Sequence, residues 1–449
     1  MNTLTSIRRP LAGCLETLLT GLPQLQTSPL PWINALRAEA VNRLDALPLP
    51  TTRDEDWRFT DISALTNLSF SPALNATYLE SADVAHFYIE EATTRLVFVD
   101  GIYAPQLSNS ASNSGILVSN MQTALTTHAA VIEAHLGRHV TFNDNVFTAL
   151  NTAVLRDAAV VIVPRHELDA TPIHLLFIAT QKEVVSTPRC LVIAETGSAV
   201  TVLEDYVVLY QPTWHEEAIF IKETHFTNAV TEIVLQDHAR VNHIRIQREG
   251  SKAFHIANCV VSLGRASNYQ SVSVALGAQI SRYNLEVLLV EGAECAVDGL
   301  TLISANQLAD THTCIDHTQP HGVSRQLHKC IVGGSAHAVF NGKIMVRHGA
   351  QRTNSIQSSR NLLLSGKAHV DTKPQLEIFA DDVKCAHGAT IGQLDSEQVF
   401  YLQSRGLSDS VARNLLTYAF GAEILERIPI ASLKHQLEQT VLEQTISQP

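Results

Sequence analysis

The sequence predicts a mainly β protein, a β-solenoid flanked by helical regions at its N-terminal and C-terminal ends. Three observations support this prediction: short β-branched runs succeed one another through the middle of the chain, small-residue corners separate them, and both ends have helical periodicity. The runs between residues 159 and 379 lie too close together for crossover helices, which argues against a doubly wound α/β sheet. A β-sandwich would also accommodate the runs, and the corners favour the solenoid.

The corners consist of a glycine followed, at once or within two residues, by a small residue. Glycine tolerates backbone conformations that other residues avoid, so such a pair lets a strand turn sharply. Repeated corners without long insertions are typical of stacked coils. The strand-forming runs are residues 160–163, 191–193, 219–221, 231–235, 242–246, 271–275, 285–289, 343–346 and 376–379. The corner glycines are Gly197, Gly277, Gly292, Gly334, Gly349, Gly366 and Gly388.

Residues 1–75 are predicted to form an N-terminal helical region. Apolar residues recur at helical spacing from Ile33 to Leu44, with charged residues between them. The segment at residues 53–60 is dense in charge around Trp57. We interpret Trp57 either as a packing anchor in a capped turn or as part of a partner-docking patch.

Residues 76–158 are predicted to form a mixed α/β connection before the solenoid. A β-run at residues 95–99 ends in Asp100-Gly101, which is a strong signal for a tight turn. Helical patterns follow at residues 121–136 and 143–155.

The predicted solenoid core spans residues 159–395, and helical periodicity returns at residues 396–449 with a break near Gly406. A solenoid leaves an exposed strand edge at its end. We therefore expect the C-terminal helices either to cap that open end or to dock another protein.

Composition and charge exclude several classes of protein. The chain has 449 residues, of which 45% are hydrophobic and 17% charged, and a formal charge of -12, which disfavours nucleic-acid or anionic-membrane binding. No apolar run approaches the roughly 20 residues that a membrane helix needs. Seven cysteines without tight spacing do not make a disulfide framework, so a reducing cytoplasm is the expected compartment. A lipoprotein-like box ends at Cys14, but Arg8 and Arg9 stand where an apolar segment is required, so we predict no lipid anchor.

The densest reactive stretch is residues 380–393, in which Cys385 and His387 stand two positions apart before a predicted small-residue turn. On an extended backbone both side chains point to the same face. A thiolate and an imidazole on one face could share a metal ion or a proton, which suits soft-metal or sulfur chemistry. The alternative is a half-buried cysteine that acts as a small apolar residue beside a turn histidine.

A second polar cluster lies between residues 310 and 330. Alternation would place His312, Cys314 and Asp316 on one face, and His328 with Cys330 on one face of a later run. A zinc site could be assembled from these residue types, but no paired-cysteine or paired-histidine motif is present. We interpret these histidines as structural or interface residues.

Enzymatic motifs are absent from the sequence, which has no phosphate-binding loop, no nucleophile elbow and no His-Glu-x-x-His motif. We therefore predict that the chain is not an enzyme. A β-helix enzyme acting on carbohydrates is the remaining catalytic alternative, and the lack of a secretion signal argues against it.

Several contiguous stretches resemble the SufD family, whose members are subunits of the SufB–SufC–SufD iron–sulfur cluster assembly machine. The N-terminal part of the likeness consists of Glu55, Trp57, Arg58 and Thr60. The C-terminal stretches are Ser-Arg-Gln-Leu-His-Lys at 324–329, Ala-Val-Phe-Asn-Gly at 338–342, Asn-Leu-Leu-Leu at 361–364, Asp-Thr-Lys-Pro-Gln-Leu-Glu-Ile at 371–378, Asp-Asp-Val-Lys-Cys-Ala-His-Gly-Ala-Thr at 381–390 and Phe-Tyr-Leu-Gln-Ser-Arg-Gly at 400–406.

The resemblance implies a right-handed parallel β-helix that pairs edge to edge with SufB. It also implies docking of the SufC ATPase on the C-terminal helices, with Phe400, Tyr401, Arg405 and Gly406 as candidate contacts. An exposed β-helix edge would permit a homodimer when SufB is absent.

The resemblance further implies that Cys385 and His387 lie at the SufB interface, where a transient iron–sulfur cluster forms. His387 is then a candidate iron ligand or proton handler, and Cys385 a nearby thiol. We expect the isolated chain to hold no cluster stably. The leading hypothesis is a non-enzymatic scaffold, and the alternative is a structural adaptor that couples the ATPase to SufB without touching the cluster.

Overall fold

The computed structural model describes residues 27–110, 115–209 and 224–446, which form 21 strands and eight α-helices. The helices are α1 (Pro31–Leu44), α2 (Ser63–Thr66), α3 (Ser81–Val84), α4 (Met121–His135), α5 (Val146–Ala153), α6 (Ser396–Ser404), α7 (Asp409–Leu425) and α8 (Ala431–Ile446). The first eleven strands are β1 (Ser71–Pro72), β2 (Thr94–Val99), β3 (Ile102–Tyr103), β4 (Leu117–Asn120), β5 (Ala159–Val163), β6 (Ile173–Ala179), β7 (Val184–Ser186), β8 (Arg189–Ala194), β9 (Ala199–Val208), β10 (Phe226–Leu235) and β11 (Arg240–Arg248). The remaining ten are β12 (Phe254–Leu263), β13 (Asn268–Ala275), β14 (Ile280–Leu289), β15 (Glu294–Ile303), β16 (Leu308–His317), β17 (Val323–Val332), β18 (His337–Val346), β19 (Asn354–Leu363), β20 (His369–Ile378) and β21 (Lys384–Gly392).

Successive strands from β8 onward alternate between two parallel sheets, so the chain winds as stacked coils. Sheet A has the order β4-β5-β8-β10-β12-β14-β16-β18-β20, and sheet B the order β3-β2-β6-β9-β11-β13-β15-β17-β19-β21. Register is continuous from coil to coil: Phe254 pairs with Ile280, and Ile280 pairs with Leu308. The predicted parallel β-solenoid is confirmed, and the β-sandwich is wrong.

The predicted runs and corners match this architecture with one exception. Eight of the nine runs fall on strands, with Phe379 just beyond β20, and residues 219–221 lie outside the described residues, as does Cys14. Six corner glycines lie between strands, and Gly197, Gly292 and Gly334 there have φ of 71°, 64° and 59°.

Gly388 is the exception, because it lies inside β21 and the turn predicted after His387 is wrong. β21 pairs with β19 without interruption from Lys384 to Gly392. Pairing with a neighbouring strand overrides the local preference of Gly388-Ala389 for a turn, because strand propensity is weak compared with tertiary context.

The N-terminal elements cover the outer face of sheet A. The apolar stripe of α1 is buried from Ile33 to Leu44, as its periodicity predicts, and it packs in one cluster with Phe147 of α5 and with Phe226 and Phe254 of the sheet. This burial removes the outer face of the first coils from water and fixes α1 and α5 against them.

The N-terminal end of each sheet finishes in a short antiparallel strand. β3 follows the predicted Asp100-Gly101 turn, whose residues have φ of 51° and 82°, and it pairs with β2 through Phe98 and Tyr103. β4 pairs antiparallel with β5. Short edge strands of this kind offer few backbone hydrogen-bonding groups to which another chain could pair.

The C-terminal helices pack along the outer face of sheet B. Ile424 of α7 and Leu433 and Leu437 of α8 are buried in one cluster with Ile244 and Val274 of the sheet. The expectation that these helices cap the open end is therefore wrong. The outer face of sheet B is itself apolar and needs cover, and covering it leaves β20 and β21 open.

Among the described residues, none of the helices combines the length and the apolar character required to cross a membrane.

Candidate functional site

Cys385 and His387 lie on β21, the last strand of sheet B in the described part of the chain. In the register with β19, Cys385 is opposite Ser355 and His387 is opposite Gln357. The Gln357 amide donates to Gln326 in the interior of the solenoid at 2.7 Å. Because paired positions in adjacent strands share a face, both predicted site residues lie on the interior face at the open end.

The backbone of β21 faces the open edge at every second residue. Lys384 donates its N–H to the carbonyl of Thr353 on the neighbouring coil at 2.9 Å. Alternate residues of a strand point their backbone groups to opposite sides, so even-numbered residues bond to β19. The N–H and C=O groups of Cys385, His387 and Ala389 therefore point away from the chain.

The open edge of sheet A, formed by β20, lacks one of the outward N–H groups that the edge of β21 has. His369 and Phe379 donate their N–H groups to Ala336 and Val346 of the preceding coil, at 3.0 and 2.9 Å. Odd-numbered residues of β20 therefore bond inward, and Pro374 occupies a position whose N–H would face the open edge. Proline removes that donor, so the edge of sheet A is a poorer template for strand addition than that of β21.

The two candidate ligands differ in exposure. Cys385 is half-buried against the interior apolar cluster, and this burial raises the pKa of its thiol, so the protonated thiol is favoured. His387 is exposed. Lys384 lies at the alternate position and points to the other face, so it does not offset the effect of burial on the thiol.

The predicted docking residues form an exposed aromatic surface on and after α6. Phe400 and Tyr401 are 71% and 56% exposed, although both are large and apolar. The Arg405 guanidinium lies over the Tyr401 ring at 5.2 Å from its centroid. Gly406 has φ of 94°, a left-handed conformation that glycine adopts readily and that ends the helix.

A buried lysine helps to fasten α7, the helix next to this surface, to the solenoid, in addition to the apolar contacts of Ile424. Lys329 of β17 donates from Nζ to the carbonyl of Phe420 at 2.8 Å and pairs with Glu423 at 2.5 Å. The hydrogen bond and charge of Lys329 lower the pKa of Glu423, although burial opposes this. The helix that follows the exposed aromatic surface is thus joined to the solenoid by a hydrogen bond and an ion pair.

The second polar cluster is divided between two environments. His312 and Cys314 line a cavity on the outer face of sheet A, whereas His328 and Cys330 are buried inside the solenoid. Burial lowers the pKa of His328 to about 3. The His328 ring stacks on the Phe340 ring, with 4.6 Å between the ring centroids. The His312–Cys314 pair and the His328–Cys330 pair therefore lie in separate environments, and the structural interpretation of His328 is supported.

Trp57 is a packing anchor, and its partner Arg282 is too distant along the chain for residue spacing to indicate the contact. The Arg282 guanidinium lies 3.9 Å from the Trp57 ring centroid, and Arg282 also donates to the carbonyl of Asp56 at 2.7 Å. Arg282 forms a buried ion pair with Asp310, which also accepts from the hydroxyl of Thr60. This contact joins the segment at residues 53–60 to the middle of the solenoid.

Comparison with known proteins places the whole arrangement in one family. The family model described as SUF system FeS cluster assembly, SufBD core domain, matches residues 177–420, and the one described as SufBD protein N-terminal region matches residues 22–175. The chain is 42% identical to an iron–sulfur cluster assembly SufBD family protein of Synechocystis sp., over 91% of this chain and 90% of that protein. It is 32% identical to the iron–sulfur cluster assembly protein SufD of Escherichia coli, over 93% and 97% of the two chains. It is 27% identical to the iron–sulfur cluster assembly protein SufD of Bacillus subtilis, over 91% of this chain and 93% of that protein.

Proposed function

The chain belongs to the SufBD family of iron–sulfur cluster assembly proteins, and we propose that it is a non-enzymatic scaffold subunit that pairs with SufB and docks the SufC ATPase. A nascent cluster is its transient cargo, received at the open end of the solenoid. The observation that carries this proposal is the uncovered edge at β21, which bears Cys385 and His387.

Pairing with SufB uses the backbone of β21. The outward N–H and C=O groups of Cys385, His387 and Ala389 accept a strand from the partner, so that a sheet continues from one chain into the next. Pro374 makes the edge of sheet A less suitable, which directs the partner to sheet B. Without SufB, a second copy of the chain occupies the same edge.

The cluster forms between the two chains, over the interior face of β21. His387 supplies an exposed imidazole as an iron ligand or proton handler. Cys385 supplies a thiol beside it, and SufB provides the sulfur and the principal ligands. Strand pairing at this edge would bring the partner's own edge residues next to both side chains.

The SufC ATPase docks on the exposed aromatic surface formed by Phe400 and Tyr401. Exposed aromatic residues next to an arginine are typical of the central contacts of protein interfaces. Lys329 couples α7 to the solenoid, so a movement imposed by ATP hydrolysis would reach the coils that end in β21.

The proposal is tested by anaerobic reconstitution of the three-protein complex with iron and sulfide. We expect His387→Ala to form the complex but to assemble less cluster, measured by visible absorption and by iron and sulfide content. His348→Ala is the matched control, because His348 is also exposed near this end but bonds to the carbonyl of Phe379. If His387→Ala assembled and matured clusters as well as the parent chain, the chemical role of His387 would be wrong.

A structural adaptor without cluster contact is the second candidate function. The raised pKa of Cys385 favours it, because a protonated thiol is a poor metal ligand. In that case Cys385→Ser combined with His387→Ala would be silent, whereas Phe400→Ala combined with Tyr401→Ala would abolish ATPase binding. Point substitutions are preferable to deletion of residues 396–449, because deletion would expose the apolar outer face of sheet B.

A further inference from the structure

A cluster of two histidines and a carboxylate lies at the open end, away from the face that carries Cys385 and His387. His337 belongs to β18, and His369 and Asp371 belong to β20. Nε2 of His337 lies 2.7 Å from Oδ2 of Asp371, and Nε2 of His369 lies 3.2 Å from the same oxygen. These three side chains bring their ligand atoms within 4.8 Å of one another. Within the described part of the chain, this is the group of three or more histidine, cysteine or acidic side chains that meets this condition.

The register of the strands builds this cluster. His337 and His369 are paired positions on neighbouring coils, and their ring centroids are 4.9 Å apart. Asp371 lies two residues farther along and so shares their face. That face is the outer one, because the hydroxyl of the adjacent Thr372 donates to Ser359 in the interior.

The carboxylate of Asp371 is available to the two histidines. Lys373, the next residue on the same face, forms its ion pair with Glu55 at 2.7 Å instead. His337 and Asp371 are partly shielded from solvent, while His369 is 64% exposed and remains open to it. The cluster thus combines a supported pair of ligands with an accessible third one.

We propose that His337, His369 and Asp371 bind a divalent first-row transition-metal ion such as Zn²⁺ or Fe²⁺. Two imidazole nitrogens and one carboxylate oxygen suit these ions, and water completes the coordination. Ligand atoms around a four-coordinate ion at about 2.0–2.2 Å lie roughly 3.5 Å apart, so small side-chain movements adapt the present separations. This site is separate from Cys385 and His387 and goes beyond the proposed function.

A bound ion would fasten the last strand of sheet A to the preceding coil. β20 has no strand beyond it in the described residues, and His337 lies on the coil before it. Asp371 also lines a cavity of about 430 Å³ under the segment at residues 52–59, so the ion would stiffen the floor of that cavity. Metal binding to the folded state alone stabilises that state.

The test is titration of the full chain, free of any histidine tag, with Co²⁺ as the spectroscopic probe. We expect visible absorption bands from one tetrahedral or five-coordinate Co²⁺ per chain, and competition by Zn²⁺. His369→Ala should remove these bands, and Asp371→Asn should weaken Co²⁺ binding by about 100-fold or more, since even the loss of a supporting residue around a metal ligand costs about 10- to 100-fold. His348→Ala and His387→Ala should leave the bands unchanged.

Three results would overturn the site: no Co²⁺ bands in the parent chain, unchanged bands in His369→Ala, or loss of the bands in His387→Ala. The last result would instead point to the proposed cluster position, so the two proposals fail separately. Circular dichroism without metal verifies the fold of each variant. As an independent readout, Zn²⁺ should raise the Tm of the parent chain and of His348→Ala but not that of His369→Ala.

Discussion

The two ends of the solenoid are built in opposite ways. At the N-terminal end, sheets A and B finish in the short antiparallel strands β4 and β3, and α1 and α5 cover the neighbouring outer face. At the C-terminal end, the sheets stop at β20 and β21, which are long parallel strands. Most side chains of β20 are half-buried, and most side chains of β21 are exposed. The difference indicates that one end is completed within the chain and that the other presents long open edges, which are templates for strand addition.

This contrast also predicts where the free energy of unfolding is concentrated. Leu191, in the apolar cluster beneath α1 and α5, is 0% exposed, whereas Ile391 of β21 is 50% exposed. Strands that bury few apolar contacts open at lower cost than the rest of a fold. The last coil should therefore be the least stable part of the isolated solenoid.

The largest expected effect compares these two side chains. Leu191→Ala should lower the free energy of unfolding by about 2–5 kcal/mol, because it removes buried methyl groups and leaves a cavity. Ile391→Ala should change it by less than about 0.5 kcal/mol. Denaturant unfolding at low protein concentration measures both, and equal losses would contradict the contrast between the ends.

The next effect concerns the Arg282–Asp310 pair that holds the segment at residues 53–60. Asp310→Asn should destabilise the fold by about 3 kcal/mol at pH 7, because it leaves the Arg282 charge buried without its counter-ion. Chemical denaturation of both proteins measures this difference.

The pH dependence of that difference follows from the pKa of Asp310. Burial alone would raise this pKa, but the charges of Arg282 and His312 lower it below its ordinary value. The carboxylate therefore stabilises the folded state fully above its unfolded pKa of about 4, and the contribution is lost as the pH falls through the lower folded value. The difference in free energy of unfolding between the parent and Asp310→Asn should become smaller below about pH 4. A difference that became larger there would contradict the ion pair.

A smaller effect tests the open edge itself. Ala389→Pro removes one outward N–H and should weaken pairing with SufB by about tenfold, since one backbone hydrogen bond contributes about 1 kcal/mol and proline adds steric hindrance. Thr390→Pro is the matched control, because the Thr390 N–H points to β19. It should reduce the stability of the isolated chain, which Ala389→Pro should largely preserve. Light scattering of the mixed chains and thermal unfolding distinguish the two.

The smallest expected effect concerns the exposed aromatic surface. Phe400→Ala combined with Tyr401→Ala should alter the free energy of unfolding by less than about 0.5 kcal/mol, because neither ring is buried in the chain. Binding of the SufC ATPase, measured by calorimetry, should nonetheless fall. A marked loss of stability would mean that these rings support the fold and do not serve a partner.

The sequence allowed the solenoid to be predicted because glycine marks several of its corners. Other corners contain no glycine: His238, between β10 and β11, and Ala305, between β15 and β16, have positive φ of 62° and 55°. At these positions the stacking of coils imposes a conformation that the residue itself disfavours, so no local signal predicts it.

The site was only partly predictable for a related reason. The spacing of Cys385 and His387 indicated a shared face, since that depends only on strand periodicity. The open edge, the outward position of Pro374 and the meeting of His337 with His369 depend on register between coils. Register is a property of the assembled sheet, and residue spacing along one strand does not contain it.

Hydrogen exchange resolved to single amides of β21 tests the central claim most directly. In the isolated chain at low concentration, the N–H groups of Ala386, Gly388 and Thr390 should be protected and those of Cys385, His387 and Ala389 should exchange rapidly. In the complex with SufB, the second group should become protected as well. If Cys385, His387 and Ala389 still exchanged rapidly in a stable complex, SufB would bind elsewhere and the account of the open edge would be wrong.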